Sequence, residues 1–248
     1  MIYEKVSGYF ICNHVRRDWM ENVEIAILDT GINDVPHLER NKIVRLELDD
    51  NGIARKRRTI SDNMNHATIC ATILSEQVSN ITIYDINVLS EGQGGKIEKL
   101  LQGLCWCLES NVSVIHLSLG TLLYKDYIYI KKVIEELIQN NKVIIAAYHN
   151  ETLRAYPAVM SKVIGVQCDK DNKLPDGEIG CNDFEHNSYI LNTSKCLDDI
   201  GIMVEYANYN SYAVPIMAAY IIKYLQKADR CNTKEVLEYL HHHSIYIV

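Results

Sequence analysis

The sequence lacks any segment that is typical of a linker, a membrane anchor or a low-complexity tail. Its 248 residues include only four prolines and twelve glycines, and no stretch is rich in Pro, Gly and Ser together. No apolar run approaches the roughly 20 residues that a membrane helix needs. A chain of this length can bury a full core. We therefore expect a single domain over residues 1–248, with its core at about 23–228.

An excess of basic residues is also missing. The formal net charge is −7, which argues against a nucleic-acid-binding surface. The densest basic run, residues 55–58, is short and lies in a polar, turn-rich region, so we interpret it as a solvated loop and not as an anion site. The first twenty residues contain Glu and Lys and no unbroken apolar stretch, which is not typical of a signal peptide. We expect a soluble, cytoplasmic protein that binds neither nucleic acid nor membrane.

Patterns for metal sites and disulfides are absent as well. The eight cysteines are scattered through apolar segments and include no CxxC, and no export signal precedes them, which favours reduced, mostly buried thiols. The three histidines at 241–243 end an amphipathic segment and are interpreted as a solvated helix end, not a zinc site. We expect no cofactor.

What the sequence does contain is a regular alternation of short apolar runs and longer segments of helical periodicity. This alternation is typical of parallel strands joined by crossover helices. The predicted strands are 23–28, 81–89, 112–119, 142–147 and 162–168. The predicted helices are 66–76, 95–110, 129–140, 211–227 and 233–242. Since the strands are almost continuously hydrophobic, both faces of the sheet should be covered. We predict a three-layer α/β fold with a mostly parallel central sheet flanked by helices.

Four polar residues lie where the predicted strands end or the predicted helices begin. Asp29 and Asn150 follow strands, whereas His66 and Ser211 each begin a helix. Ligands of open parallel sheets bind beyond the carboxyl ends of the strands. Singly, each residue is most simply a turn former, a helix cap or a surface residue. Together, in the order Asp, His, Ser, they form a candidate catalytic set.

Six segments carry a resemblance to a known family. They are, in chain order, VEIAILDTGINDVPHL, NHATICATIL, VIHLSLG, VIIAAYHNE, YPAVMSKVIGVQC and YNSYAVPIMAA. They resemble the Asp-Thr-Gly strand, the His-Gly-Thr helix, the Asn-Leu-Ser-Leu-Gly strand, the Ala-Ala-Gly-Asn segment, the Tyr-Pro-Ala strand and the Gly-Thr-Ser-x-Ala-x-Pro helix of subtilisin-like serine proteases, the subtilases of peptidase family S8. The resemblance spans about residues 23–228 and implies a subtilisin-like fold and a serine endopeptidase.

The resemblance also implies roles for five residues. Ser211 would attack the scissile carbonyl, His66 would take and return its proton, and Asp29 would hold the imidazole. Asn150 would donate an amide hydrogen to the oxyanion. Asn210, which stands where the family has Thr, would offer a second amide donor to the oxyanion hole.

In the family, an extended peptide substrate adds as a strand between two segments of the enzyme. The matching segments here are 92–94 and 118–120, where small residues permit close backbone approach. The resulting candidates for substrate contact are Gly92, Gly94, Ser118, Leu119, Gly120, Ala147, Tyr148, His149 and Glu151.

Structural calcium, which the family often binds, is left open by the sequence. The acidic pairs Asp49-Asp50 and Asp198-Asp199 have no recognisable ligand spacing. The chain also offers no room before residue 23 for the long propeptide of secreted subtilases, so we expect a small intracellular type without one.

Two functions stay open because the motifs depart from the family pattern. Tyr209 and Asn210 replace Gly-Thr before the nucleophile, and Tyr148 and His149 replace small residues before Asn150. One hypothesis is a protease of narrow specificity, such as one that removes the leader peptide from a ribosomally made peptide precursor. The other is a catalytically impaired pseudoprotease that acts as a peptide-binding or regulatory module. Either way the expected partner is a peptide or protein.

Overall fold

A computed structural model describes residues 22–49, 51–58, 62–90, 94–151, 154–183, 187–202, 208–228 and 230–246. The strands in these ranges are β1 (Glu24–Asp29), β2 (Lys42–Leu48), β3 (Ala54–Lys56), β4 (Thr82–Asn87), β5 (Leu89–Ser90), β6 (Gly94–Gly95), β7 (Val114–Leu117), β8 (Val143–Ala147), β9 (Ile164–Cys168), β10 (Ile179–Asp183), β11 (Ser188–Leu191) and β12 (Ser244–Tyr246). The helices are α1 (His66–Gln77), α2 (Ile97–Glu109), α3 (Tyr124–Gln139), α4 (Ser194–Asp199), α5 (Ala213–Leu225) and α6 (Thr233–His242).

Ten of the strands form one sheet, in the order β12-β10-β11-β9-β8-β7-β1-β4-β2-β3. The seven neighbours from β11 to β2 all run parallel. Antiparallel pairings occur only towards the two edges of the described sheet, between β2 and β3 and between β10 and β11. The carboxyl ends of the central strands therefore meet along one edge, where β1 lies between β7 and β4.

The side chains of β1 show why helices cover both faces of this sheet. Ile25 and Ile27 are fully buried in a core shared with α1 and α5, whereas Ala26 and Leu28 are fully buried in a second core with α2 and α3. Successive side chains of a strand point to opposite faces, so a continuous apolar run needs a helix layer on each side. The predicted three-layer α/β fold with a mostly parallel sheet is confirmed.

The predicted strands and helices all occur, with shifted ends. The largest shift is at α3, which begins at Tyr124 and not at 129. The sequence analysis missed β2 and β3, which lie at one edge of the sheet, and β10 to β12 at the other. β2 alternates irregularly between exposed and buried positions, and so it lacks the apolar run that marked the central strands.

Two features bear on the expected class of protein. Within the described ranges, no helix has the length and apolar character needed to cross a membrane. The seven cysteines of these ranges are all free thiols, and three of them, Cys70, Cys107 and Cys181, are completely buried.

Candidate active site

Asp29 and His66 are brought together by a strand end and a helix start. Asp29 is the last residue of β1, and its carboxylate is fully buried. His66 is the first residue of α1, and its Nδ1 lies 2.9 Å from both carboxylate oxygens of Asp29. Asn65 caps α1 and donates from its side chain to Gly31 O at 2.8 Å. This cap ties the start of the helix to the turn that follows Asp29.

The electrostatics of this pair suit a general base. Burial disfavours the charged imidazolium, but the hydrogen bond to Asp29 and the negative charge of Asp29 outweigh that effect, and the pKa of His66 is raised above its ordinary value. With Nδ1 donating to a carboxylate, the neutral ring keeps its lone pair on Nε2. His66 is therefore held as a proton acceptor at its second nitrogen.

Ser211 lies in a 3₁₀ turn, Asn210–Tyr212, that leads directly into α5. Its hydroxyl donates to Ser118 O at 3.3 Å, and the Ser118 hydroxyl donates to Ser211 O at 2.9 Å. No hydrogen bond in the described part of the chain joins Ser211 Oγ to His66. The His66 side is instead approached by Tyr212, whose ring centroid is 5.7 Å from that of the imidazole.

Asn150 follows β8 and has its amide oriented by the turn that carries Ser211. Its Oδ1 accepts the backbone N–H of Asn210 at 2.9 Å. Because that partner is a donor, the accepting atom must be the oxygen, and the two Nδ2 hydrogens remain on the other side of the amide. Lys170 Nζ donates to Asn150 O at 2.7 Å and holds the backbone of the same residue. The Asn150 side chain therefore retains the donors that the resemblance assigns to the oxyanion hole.

The side chain of Asn210 departs from its predicted role. It is 2% exposed; its Nδ2 donates to Tyr148 O and His149 O, both at 3.1 Å, and its Oδ1 accepts the backbone N–H of Cys168 at 3.0 Å. Both amide hydrogens are thus used inside the protein and are not offered to an oxyanion. Asn210 ties the nucleophile turn to the segment after β8 and to the end of β9.

Tyr209, which replaces Gly before the nucleophile, sits in an ordinary backbone conformation. Its φ is −91° and its ψ is 122°, which is an extended region open to every residue. Its side chain is 44% exposed and meets Tyr212 edge-on, with ring centroids 6.4 Å apart. The replacement of Gly by Tyr therefore strains neither the backbone nor the core.

Two of the predicted substrate glycines can be placed. Gly92 lies outside the described residues, whereas Gly94 opens β6, which pairs with β5. A Cβ on Gly120 would come within 2.9 Å of Tyr156 O, because Thr121 and Tyr156 exchange two backbone hydrogen bonds of 2.9 Å. The backbone that comes close to Gly120 on the side of Tyr156 is therefore the chain's own and not that of a substrate.

Leu119 and Gly120 line a cavity of about 180 Å³ between the ends of β5 and β6 and the segment before α3. Lys96 and Asp126 provide its charged groups, and the rest of its wall is mainly aliphatic, with contributions from Val88, Leu89, Ile97, Leu100 and Leu123. A cavity of this size and character suits a single apolar side chain.

Of the two bulky residues before Asn150, Tyr148 packs against the protein core, and both side chains are partly buried. Ala147 ends β8 and is buried. The ring of Tyr148 lies against Gly165, where an added Cβ would come within 2.5 Å of Tyr148 Cε2. His149 accepts the backbone N–H of Glu151 at its Nδ1, at 3.2 Å. Tyr148 thus fills the space that Gly165 leaves and packs against the core that contains α2 and α3.

The sequence analysis missed two buried residues beneath the site. His116 Nε2 lies 3.4 Å from Ser118 Oγ; burial lowers the pKa of His116 to about 4, and its Nδ1 has no hydrogen-bond partner. Cys70 Sγ lies 3.6 Å from the same hydroxyl. Strand alternation places residues 116 and 118 on one face, and helical spacing places Cys70 one turn after His66. These two periodicities could have identified both residues.

A third potential metal ligand lies beside the Asp29–His66 pair. Asp29, His66 and Cys70 are the one set of three potential ligands that the described ranges bring within 4.8 Å of one another. Burial, followed by the charge of Asp29, raises the pKa of the Cys70 thiol well above its usual range. Metals bind the thiolate, so a thiol held in its protonated form is a poor ligand. This set fits a hydrogen-bonded Asp–His pair better than a metal site.

The acidic pairs that were considered for calcium can be described only in part. Asp49 Oδ1 accepts the backbone N–H groups of Asn51 and Ile53, both at 3.0 Å, and Asp49 Oδ2 pairs with Arg55 at 3.0 Å. These contacts close a turn and place a cation where calcium would need an oxygen ligand. Asp50 lies outside the described residues, and Asp198 and Asp199 belong to the short helix α4.

The structure thus contains a histidine oriented by a buried carboxylate and a serine at the start of a neighbouring helix, in the chain order Asp, His, Ser of the subtilisin arrangement. A model of the subtilase family matches residues 20–235. The chain belongs to the subtilase family.

Individual relatives agree with this assignment. The chain is 28% identical over 166 residues to the major intracellular serine protease of Bacillus subtilis (strain 168), a match that covers 59% of this chain and 50% of that protein. It spans about half the length of that relative and less of the next two.

Among solved structures, the nisin leader peptidase NisP from Lactococcus lactis is similar, with a TM-score of 0.63, 16% identity and coverage of 88% of this chain and 81% of that one. The prenylagaramide maturation protease PagA gives a TM-score of 0.59, 15% identity and coverage of 87% and 81%.

Proposed function

We propose that the chain is a serine endopeptidase that uses Ser211 as nucleophile, His66 as general base and acid, and Asp29 to orient the imidazole. The observation that carries this proposal is the pair of 2.9 Å contacts between His66 Nδ1 and the buried Asp29 carboxylate. A carboxylate held in this way fixes the tautomer of the ring and stabilises the imidazolium that forms during the reaction.

In the first half of the reaction, Ser211 Oγ turns from Ser118 O towards His66 Nε2. Its proton passes to Nε2 while Oγ forms a bond to the carbonyl carbon of the substrate, and the carbonyl oxygen becomes an oxyanion. The Nδ2 donors of Asn150 and the positive dipole end of α5 stabilise that charge. The C–N bond then breaks, and His66 delivers its proton to the leaving amine.

In the second half, water replaces the amine. His66 takes a proton from the water as its oxygen attacks the acyl ester on Ser211, and the new tetrahedral intermediate uses the same donors from Asn150. When the ester bond breaks, His66 returns the proton to Ser211 Oγ and a carboxylic acid leaves. The site is then ready for another substrate.

We further propose a narrow specificity, such as leader-peptide removal from a ribosomally made precursor. The small, mainly aliphatic cavity beside Leu119 and Gly120 supports selection of one apolar side chain in the substrate. The fold resemblance to NisP and PagA, which are named as a leader peptidase and a maturation protease, supports the same substrate class.

A fluorophosphonate probe tests the chemistry. We expect the wild type to be labelled on Ser211 and Ser211→Ala to remain unlabelled while it keeps the same circular dichroism spectrum. Mass spectrometry of co-expressed precursor peptides tests the specificity, and a single cut at the leader junction is expected. Indiscriminate digestion of unstructured casein would contradict the narrow specificity without affecting the nucleophile assignment.

A peptide-binding module without catalysis is the second candidate, and one observation favours it. The Ser211 hydroxyl is bonded to Ser118 O and not to His66. If that arrangement persists when a peptide binds, the folded wild type will bind peptides, resist the probe and leave every candidate precursor intact. Labelling of Ser211 at any appreciable rate would contradict this candidate.

A further inference from the structure

A second cleft, of about 530 Å³, lies along β2 and the end of β3. Seven residues line it: Lys42, Ile43, Val44, Arg45, Lys56, Arg57 and Arg58. Five of the seven are cationic and none is acidic or aromatic, although the whole chain carries a net charge of −7. The sequence interpretation of residues 55–58 as a solvated loop was wrong in part: 54–56 form β3 and the Arg57 side chain is only 14% exposed, whereas the other three residues are exposed.

Two of the cations belong to the framework of the cleft. Arg57 Nη2 lies 2.6 Å from Asp85 Oδ2, a fully buried carboxylate, and Arg45 Nη2 lies 2.5 Å from Asp34 Oδ1. Both arginines also donate to Ile32 O, at 2.9 Å from Arg45 and 3.1 Å from Arg57. Their charges are compensated, and they join the floor of the cleft to the loop that follows Asp29.

The other three cations are not compensated. Lys42, Lys56 and Arg58 are exposed, and their side chains have no ion pair or hydrogen bond within the described ranges. Like charges held around one concave surface create a positive local potential that attracts an anionic ligand. The ligand class that this part of the cleft favours is therefore acidic.

The backbone of β2 adds a second requirement. On one side, β2 pairs with β4 from Lys42 onwards. On its other side, β2 pairs with β3 only from Leu46 onwards. One further backbone hydrogen bond on that side joins Arg57 N to Arg45 O at 3.0 Å. Alternate residues of a strand face the same edge, so the N–H and C=O of Ile43 face the same side as Arg45 O. No strand in the described part of the chain pairs with Ile43 there. A strand edge that pairs with no other described strand can accept an extended peptide as an added strand.

We propose that this cleft binds an acidic, extended segment of the peptide substrate, separate from the residues around the cleaved bond. The uncompensated cations select the charge, and the edge of β2 at Ile43 selects the extended backbone. The absence of an aromatic side chain from the lining disfavours nucleic acid, whose bases need a stacking surface. That the bound peptide is a substrate rests on the proposed function. Binding of an acidic peptide to the cleft does not depend on catalysis.

The test measures binding to the Ser211→Ala protein, which cannot cleave its ligand. Fluorescence anisotropy compares a peptide with a run of Asp and Glu, the same peptide with Asn and Gln, and a single-stranded oligonucleotide of equal charge. We expect the acidic peptide to bind about tenfold or more tightly than its neutral counterpart, and added salt to reduce that difference. Equal affinity of the two peptides, or tighter binding of the oligonucleotide, would overturn the proposal.

Two charge-reversed proteins locate the site. Lys56→Glu with Arg58→Glu should weaken binding of the acidic peptide about tenfold or more. Lys132→Glu with Arg230→Glu makes the same change in net charge at two exposed positions outside the cleft, and should change affinity less than twofold. Equal losses in both proteins would show only general electrostatic attraction and would refute a site at β2.

A change in the peptide tests the strand pairing without altering the protein. N-methylation of alternate residues in the acidic segment removes the donors that would pair with β2 but keeps the charges, and we expect it to weaken binding. Unchanged affinity would overturn the pairing. Binding of the acidic peptide by a wild type that cleaves nothing would contradict the proposed function and leave an acidic-peptide site in place.

Discussion

Ser118 and Ser211 exchange two hydrogen bonds: Ser211 Oγ donates to Ser118 O at 3.3 Å, and Ser118 Oγ donates to Ser211 O at 2.9 Å. The residue after β7 therefore holds the backbone of Ser211, the proposed nucleophile, and accepts its hydroxyl hydrogen. Ser118 was predicted as a substrate contact. The structure adds a positioning role, because the second of these bonds holds the backbone of Ser211 independently of its hydroxyl.

Replacing Ser118 by Ala should therefore impair turnover more than substrate binding. The change removes the 2.9 Å bond to Ser211 O but keeps the Ser118 carbonyl. We expect kcat to fall about tenfold with little change in KM, and stability to fall by about 1 kcal/mol. Ser75→Ala is the control. Ser75 lies near the far end of α1, and its buried hydroxyl accepts a hydrogen bond from the Asn41 side chain. A Ser118→Ala enzyme with wild-type kcat would remove the positioning role.

Asp29→Asn should lower kcat/KM by about 10⁴-fold, because the amide cannot hold the productive tautomer of His66. The variant should also shift the acidic limb of the pH profile. Asp29 raises the pKa of His66, so the wild type loses its neutral base, and its activity, as the pH falls through that raised value. Without the carboxylate the residual activity should persist to lower pH. An acidic limb that does not move would mean that another group controls it.

Two substitutions at residue 150 separate donation from positioning. Asn150→Ala should lower kcat by about 10²- to 10³-fold, a range that comes from subtilisin, a member of this family. Asn150→Asp keeps an oxygen to accept the Asn210 N–H but has no N–H to donate. We expect it to be at least as impaired as the Ala variant in steady-state assays. Recovery of activity in the Asp variant would show that Asn150 acts only by holding the Ser211 turn.

His116 should make the protein sensitive to acid. Its pKa is lowered by burial to about 4, whereas an unfolded histidine titrates near 6.5. Between these values the unfolded chain binds the additional proton, so stability is unaffected above about pH 7 and falls as the pH drops towards 4, by about 3 kcal/mol in total. His116→Asn should lack this component. Urea unfolding at neutral and acidic pH measures the difference, with exposed His37→Asn as the control; equal pH dependence of wild type and His116→Asn would refute the prediction.

The parts of this protein that the sequence could predict are those governed by local periodicity. Asp29 ends an apolar run, His66 begins a helix, and parallel strands bring their carboxyl ends together, so the catalytic candidates could be named from spacing and resemblance. The direction of the Asn210 amide could not be predicted. It depends on carbonyl groups of Tyr148 and His149, about sixty residues away, and on the N–H of Cys168. The resting rotamer of Ser211 depends in the same way on contacts that form only in the folded chain.

The role of the basic residues at 55–58 could not be predicted from the sequence. Their spacing indicated only a polar loop, because the partner that buries Arg57 is Asp85 on β4. Pairing between β2 and β3 then places the neighbouring charges around a cleft. Neither event leaves a periodic signal in the sequence.

The side chain of Asn210 makes positions 210 and 150 interdependent, because it holds the carbonyl groups of the two residues that precede Asn150. Residue 210 holds the segment after β8 through its side chain and orients residue 150 through its N–H. A change of Asn210 to Thr, the family's usual residue, would free two carbonyl groups before any compensating change at 148 or 149 had occurred. The order of substitutions at residues 148, 149 and 210 therefore decides which of the stepwise variants still fold. It also decides which of them keep the Asn150 side chain aligned as an oxyanion donor.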